Sequence, residues 1–145
     1  MISPHISYPE ATYSQAAIRH GMPNIPDEEE LANMRLVALH IFEPVHDHYS
    51  RVIPGFRLGV SSFFRNKFVN TLVKGSKNSQ HMEGKAIDMD ADIYGGISNS
   101  ELFNYIKTNL DFDQLIWEYG NSINPAWVHA SWNAEGNRHQ ILTVS

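Results

Sequence analysis

Histidine and carboxylate side chains occur in two short stretches that could together bind a metal ion. The first stretch, residues 79–90, contains His81 and Asp88. Asp88 lies between two apolar residues, and a carboxylate in such a strand-like pattern needs a compensating partner such as a cation. The second stretch, residues 127–131, contains His129. Two imidazoles and one carboxylate, with water in the fourth position, suit a catalytic Zn²⁺ ion.

The spacing of these residues requires particular local structure. His81 and Asp88 are seven residues apart, which on a helix would separate them by two turns. A turn at Gly84 followed by a strand would instead let His81 fold back over Asp88. We expect the strand of His129 to pair with the strand that contains Glu118. Glu118 would then lie within reach of a metal-bound water, as a candidate general base and general acid.

Each of these residues also has an ordinary explanation when it is taken alone. His81 could be a loop histidine, His129 a core histidine, and Glu118 a surface carboxylate on an edge strand. Only the combination and its spacing favour a metal site. His46 and His48, by contrast, are two residues apart on a predicted helix and do not share a face, so we predict that both are solvent-exposed.

The hydrophobic pattern predicts an α+β fold, with N-terminal helices packed on a small antiparallel sheet and the metal in a groove on that sheet. The predicted helices are residues 7–21 (ending at Gly21), 27–45 (with a kink or a last turn at Pro44), 66–73 and 101–110. The predicted strands lie within residues 56–65, 112–119, 126–132 and 138–144.

Composition limits the class of protein. With 145 residues, 42% of them hydrophobic, the chain is predicted to form one globular domain, residues 1–145. It has no cysteine, so any metal must be held by His, Asp or Glu. A net charge of −5 argues against nucleic acid as a partner. No apolar stretch approaches the roughly 20 residues that span a bilayer, and we identify no secretory signal, so we expect no membrane insertion and synthesis in the cytoplasm.

The two stretches also resemble a known family. The motif Ser79-x-His81-x-x-Gly84-x-Ala86-x-Asp88 and the segment 127–129 (Trp-Val-His) are similar to the metal-ligand motifs of M15-type zinc D-Ala-D-Ala carboxypeptidases and related murein peptidases, especially small phage and prophage endolysin-like members. Residues 62–65 resemble the family's Ser-Gly-Tyr-Arg segment, and residues 114–118 resemble its acidic strand. The resemblance covers nearly the whole chain and implies the fold shared by hedgehog domains and DD-peptidases.

This resemblance implies a role for each residue of the motifs. It implies one Zn²⁺ ion and the hydrolysis of peptide bonds in peptidoglycan stem peptides by a monomer, which would reach the cell wall after holin-type release. Which stem-peptide bond is cut stays open. The implied roles are zinc ligands for His81, Asp88 and His129, general acid and base for Glu118, neutralisation of an oxyanion or of the peptide carboxylate for Arg65, and substrate-groove or orienting roles for Ser79, Gln80 and Trp127.

Two positions depart from the family pattern. Ala126 occupies the place where many members have an acidic residue, so the base would have to come from Glu118 on the preceding strand. Phe63 replaces a glycine beside Arg65 and is expected to narrow the substrate groove. Two alternatives therefore stay open: a non-catalytic, hedgehog-like zinc-binding module, and a phage structural protein.

Overall fold

Helices make up much of the first half of the protein. The computed structural model covers residues 1–145. Asp27 starts the longest helical segment with a capping box, in which its side chain accepts from the backbone N–H of Glu30 and the Glu30 side chain accepts from the backbone N–H of Asp27. The α-helices are α1 (Tyr8–Thr12), α2 (Gln15–Arg19), α3 (Glu28–Val37), α4 (Glu43–Ser50), α5 (Lys67–Leu72) and α6 (Asn99–Asn109).

A π-helical turn, Ala38–Phe42, joins α3 to α4 without interrupting the helical path. The N–H of Glu43 donates to the carbonyl of Ala38, five residues back. Pro44 follows in the first turn of α4 and has no N–H to donate, which accounts for the wider turn at this point. The predicted long helix with an irregularity at Pro44 is therefore present, and it extends to Ser50.

A five-stranded sheet forms the other layer. Its strands are β1 (Gly59–Ser62), β2 (Ala86–Asp90), β3 (Gln114–Glu118), β4 (Trp127–Ser131) and β5 (Gln140–Val144), in the order β1-β2-β4-β3-β5. These layers confirm the predicted α+β class. All pairings are antiparallel except that of β3 with β5, which is parallel because the chain after β4 returns to the end of the sheet where β3 begins. None of the helices is both long and apolar enough to cross a membrane.

Alternation along the strands separates a core face from a groove face. Ile87 and Met89 of β2, together with Val128 and Ala130 of β4, are fully buried and face the helices. The residues between them therefore point to the opposite face of the sheet. Asp88 lies on this second face, together with polar residues of β4 and β3. This face is turned away from the hydrophobic core.

Two local predictions are wrong. Residues 7–21 form two short helices instead of one, because Ser7 and Ser14 each accept from a backbone N–H three residues ahead and so cap separate helices. His46 was predicted to be exposed, but it is buried. Its ring stacks on the ring of His5, with 3.7 Å between the ring centroids. The N-terminal segment covers this face of α4, a long-range contact that helical spacing does not reveal.

We predict that Gly84→Ala is more destabilising than Gly21→Ala, although both glycines have positive φ. Gly84 has φ 72°, and an added Cβ would lie 2.4 Å from the backbone oxygen of Glu30, which is fixed in α3. We expect Gly84→Ala to lower the free energy of unfolding by about 3 kcal/mol, combining left-handed backbone strain with overpacking. Gly21→Ala is the matched control, because Gly21 has φ 62° but nothing within 4 Å of the added Cβ. Urea denaturation should give a loss of only about 1 kcal/mol for this control. Equal losses for both variants would contradict the proposed close approach.

Candidate metal centre

Three strands bring polar side chains together on the groove face. The antiparallel register places Asp88 of β2 directly opposite His129 of β4. On the other side of β4, β3 places Ile116 opposite His129 and Glu118 opposite Trp127. Directly opposed residues on one face have Cβ atoms about 5 Å apart. The sheet therefore fixes Asp88, His129 and Glu118 as near neighbours before any side-chain contact is considered.

His81 reaches the same place from a turn. It lies in a 3₁₀ turn, Gln80–Glu83, and Oγ of the preceding residue, Ser79, accepts a hydrogen bond from the His81 backbone N–H at 3.2 Å. Gly84 then adopts a left-handed conformation, and the chain reverses into β2. This is the turn that the sequence predicted. It places His81 over Asp88, despite their separation along the chain.

The side chains of His81, Asp88 and His129 converge. Their potential ligand atoms all lie within 4.8 Å of one another. The Nε2 atom of His81 is 3.2 Å from Oδ2 of Asp88, and the Nδ1 atom of His129 is 3.0 Å from Oδ1 of Asp88. All three residues are buried, with at most 8% of each exposed. One divalent ion could contact an atom of each residue.

The tautomer of His81 leaves a free lone pair at this centre. Its Nδ1 atom lies 2.6 Å from the carbonyl oxygen of Phe63, which can only accept, so Nδ1 carries the proton. Nε2 is then an acceptor, and it is buried without a hydrogen-bond partner. A lone pair that faces a carboxylate oxygen in a buried site is unfavourable without a cation between them. This arrangement fits a bound metal, and the Phe63 carbonyl is the outer contact that orients a metal-binding imidazole.

The electrostatic environment of the centre favours the protonation states of His81 and Asp88 that bind metals. Burial lowers the pKa of His81 and so favours the neutral imidazole. Burial alone would raise the pKa of Asp88, but attraction to the imidazole of His81 in its protonated form and the hydrogen bond from His129 outweigh it and hold that pKa well below its usual range. The centre therefore presents an ionised carboxylate beside a neutral nitrogen ligand.

Glu118 lies at the edge of this centre, in a different environment. Its Oε1 atom is 3.6 Å from Nδ1 of His129, and its Oε2 atom accepts from the indole N–H of Trp127 at 2.9 Å. Burial, followed by repulsion from Asp88, raises the pKa of Glu118. Two carboxylates whose pKa values are shifted in opposite directions are typical of a site that separates ligand and proton-transfer roles.

Arg65 and Ser79 lie at another part of the same cavity. The guanidinium of Arg65 donates to Oγ of Ser79 at 3.3 Å, and the Arg65 backbone N–H donates to the His81 carbonyl. Burial lowers the pKa of Arg65, but a guanidinium stays charged at neutral pH. The cavity has a volume of about 560 Å³, and all eight residues singled out from the sequence line it, namely Arg65, Ser79, Gln80, His81, Asp88, Glu118, Trp127 and His129.

Asp113 and Arg138 support the site but were not identified from the sequence. The buried Asp113 carboxylate accepts from the Gln80 side chain at 2.9 Å and from Nε and a terminal nitrogen of Arg138 at 2.8 and 3.0 Å. This network ties the turn that carries His81 to the start of β3. The sequence around Asp113 does not indicate this network, because the contacts form only when the fold brings Gln80 and Arg138 to Asp113. Arg138 lies in the loop before β5.

The expectation that Phe63 narrows the groove is wrong. Its side chain is 1% exposed and belongs to the hydrophobic core. Phe63 does not line the cavity around the metal centre. It affects that centre only through its backbone carbonyl, which accepts from His81.

Comparison with known proteins adds an independent finding. A family model described as Peptidase M15 matches residues 4–130. The matched range includes every residue of the convergent site and ends at β4, before β5 begins. A search of the curated proteins finds no matching relative.

We predict that the Asp113 network stabilises the protein in a pH-dependent way. Hydrogen bonds from Arg138, and also from Gln80, lower the pKa of Asp113 from 3.8 to about 2. A lowered carboxyl pKa contributes stability above the unfolded value, and this contribution is lost as the pH falls through the folded value. Asp113→Asn should therefore lower the free energy of unfolding by about 1 kcal/mol at pH 6. This loss is modest because Arg138 is solvent-exposed, and it should shrink as the pH falls from 4 toward 2. Urea unfolding over this range measures it.

Asp47→Asn is the control for that experiment. Asp47 forms an exposed ion pair with Arg51 at 2.7 Å, and its loss should change stability by less than about 0.5 kcal/mol. A pH-independent difference for Asp113→Asn would contradict the assigned role of its ionised form.

We also predict that the convergent residues bind one divalent transition metal ion. Equilibrium dialysis against Zn²⁺ should give about one ion per chain, and Asp88→Asn should weaken binding at least about tenfold. Asp47→Asn should bind as the wild type does. Retention of full affinity by Asp88→Asn would show that the ion binds elsewhere.

Proposed function

Because the chain belongs to the M15 peptidase family, we propose that it is a zinc-dependent peptidase that hydrolyses peptide bonds in peptidoglycan stem peptides. The observation that supports this most directly is the convergence of His81, Asp88 and His129 in a cavity that also contains Glu118. The stem-peptide substrate and the preference for bonds beside D-alanine are supported by the similarity of the motifs to those of zinc D-Ala-D-Ala carboxypeptidases.

The proposed ligands are Nε2 of His81, a carboxylate oxygen of Asp88 and a ring nitrogen of His129. A zinc ion bound there would activate water and polarise the substrate carbonyl. The protein's own contribution is to hold the ligands in place. The sheet register fixes Asp88 and His129, and the Phe63 carbonyl fixes the ring of His81. This preorganisation reduces the reorganisation needed at the moment of reaction.

Glu118 is the proposed general base and general acid. It accepts a proton from the attacking water and then donates it to the leaving amine, so its pKa needs to lie between those of an ordinary carboxyl and of the amine. Burial and the neighbouring Asp88 shift the pKa of Glu118 in that direction. The indole N–H of Trp127 holds one carboxylate oxygen, which leaves the oxygen nearer His129 to exchange the proton.

Arg65 is proposed to bind negative charge on the substrate. Its guanidinium lines the cavity and its Nε atom is buried without a hydrogen-bond partner. An unpaired buried donor on a permanently charged group is costly unless a ligand supplies the acceptor. The developing charge on the carbonyl oxygen, or a carboxylate of the peptide, would supply it.

We predict that Glu118→Gln abolishes hydrolysis without abolishing metal binding. The amide keeps the shape of the side chain but cannot accept the proton, so kcat should fall at least about a hundredfold. Glu135→Gln is the control, because Glu135 is exposed and does not line the cavity of the metal centre. Release of new amino termini from purified stem peptides measures the rate, and dialysis measures the bound zinc. Activity in Glu118→Gln equal to that of wild type would remove Glu118 from this role.

The same assay separates the peptidase from a non-catalytic zinc-binding module. Mass spectrometry of muropeptides after digestion would identify the bond that is cut, and release of D-alanine would indicate carboxypeptidase activity. Zinc binding without any cleavage of muropeptides would favour the non-catalytic module.

A further inference from the structure

A second cleft adjoins the cavity of the metal centre. It has a volume of about 400 Å³ and lies between the N-terminal helices and β1. Arg65 and Val73 line both the cleft and the cavity, so the two spaces meet at these residues. We call it the arginine cleft; its lining residues are Tyr13, Ser14, Gln15, Ala16, Arg19, Ser61, Ser62, Arg65 and Val73.

The arginine cleft is cationic in a molecule that is otherwise acidic. The chain contains 16 acidic and 11 basic residues, yet the cleft is lined by two arginines and by no carboxylate. Neither Arg19 nor Arg65 takes part in any of the ion pairs of the protein. Two guanidinium groups that form no ion pair, in a concave surface without a carboxylate, attract anions and repel cations.

Arg65 connects the arginine cleft with the metal centre. One of its terminal nitrogens donates to Ser79, which lines the cavity of the metal centre. Arg19, at the end of α2, is exposed and extends the positive charge away from the metal centre. Serine and glutamine side chains supply further hydrogen-bonding groups along the cleft. The surface suits a planar carboxylate, which a guanidinium binds in a bidentate manner.

We propose that the arginine cleft is a substrate subsite that binds a carboxylate of the peptide outside the scissile bond, with Arg19 as the residue that determines this specificity. The inference rests on the proposed peptidase function. A peptide whose scissile bond lies at the metal centre passes Arg65 and places its next residues in the cleft. Arg19 then distinguishes a free carboxylate from its amide, because the amide has no charge and offers only one acceptor oxygen.

The test uses two stem peptides that are identical except that one carboxyl group outside the scissile bond is free in one peptide and amidated in the other. Wild-type protein loaded with zinc should cleave the free-acid peptide with a kcat/KM about tenfold higher, mainly through KM. Arg19→Gln should reduce this ratio to about 1, and Arg19→Lys should retain part of it, because lysine keeps the charge but not the planar fork. Raising the salt concentration should reduce the wild-type ratio, since Arg19 is exposed.

Arg35→Gln is the matched control. Arg35 is an exposed arginine on α3 that lines neither cavity, and its loss should leave the ratio unchanged. A ratio that stays near tenfold in Arg19→Gln, or that is near 1 in wild-type protein for free carboxyls at every position tested, would overturn the proposed subsite.

Binding measurements make this test independent of turnover. Calorimetric titration of zinc-loaded Glu118→Gln protein with the same two peptides should show about tenfold tighter binding of the free acid, and Arg19→Gln in that background should remove the difference. Absence of cleavage by wild-type protein, together with this Arg19-dependent preference in binding, would contradict the peptidase function but support the subsite. Cleavage without any Arg19-dependent preference would support the peptidase function but contradict the subsite.

Discussion

The pairing of β2 with β4 is the constraint on which the rest of the site depends. It sets Asp88 opposite His129 and, through the next pairing, brings Glu118 beside them. The same register turns Ile87 and Met89 inward to the helices. A slip of one residue would move the carboxylate into the core and the apolar residues into the groove, so the free energy of core packing also maintains the geometry of the site. Stability and chemistry therefore depend on one set of backbone hydrogen bonds.

Around this sheet, each polar side chain has a neighbour that fixes its protonation or its direction. The Phe63 carbonyl determines which nitrogen of His81 is free, and the Trp127 indole holds one oxygen of Glu118. The two carboxylates face the same buried space but have pKa values shifted in opposite directions. Nearby imidazoles stabilise the charge of Asp88, whereas burial and the charge of Asp88 act against the ionisation of Glu118. One cavity can therefore hold a metal ligand and a proton carrier at the same pH.

The sequence predicted those parts of the structure that follow from local pattern. Strand alternation placed Asp88 and His129 on polar faces, and Gly84 indicated the turn that returns His81 to them. The sequence did not predict contacts that join distant segments. His46 is buried because the N-terminal segment covers it, and Asp113 meets Arg138 only after β5 pairs in parallel with β3. The prediction for Phe63 was wrong because it rested on the glycine that the family has at this position, which does not show that the Phe63 side chain packs into the core. The assignment of chemical roles needed the family resemblance in addition to the pattern.

The separation of the ligands along the chain has a consequence for the order in which the protein matures. His129 meets a partner 41 residues earlier, across a strand pair that closes only after the polypeptide through β4 is available. Pairings between segments far apart in the chain slow folding, because the cost of closing the loop must be met before the contact forms. In a chain that has not yet paired β2 with β4 and β3 with β4, His129 and Glu118 are not held beside Asp88. The proposed peptidase activity therefore requires the complete sheet, because only the complete sheet positions all the residues assigned to it.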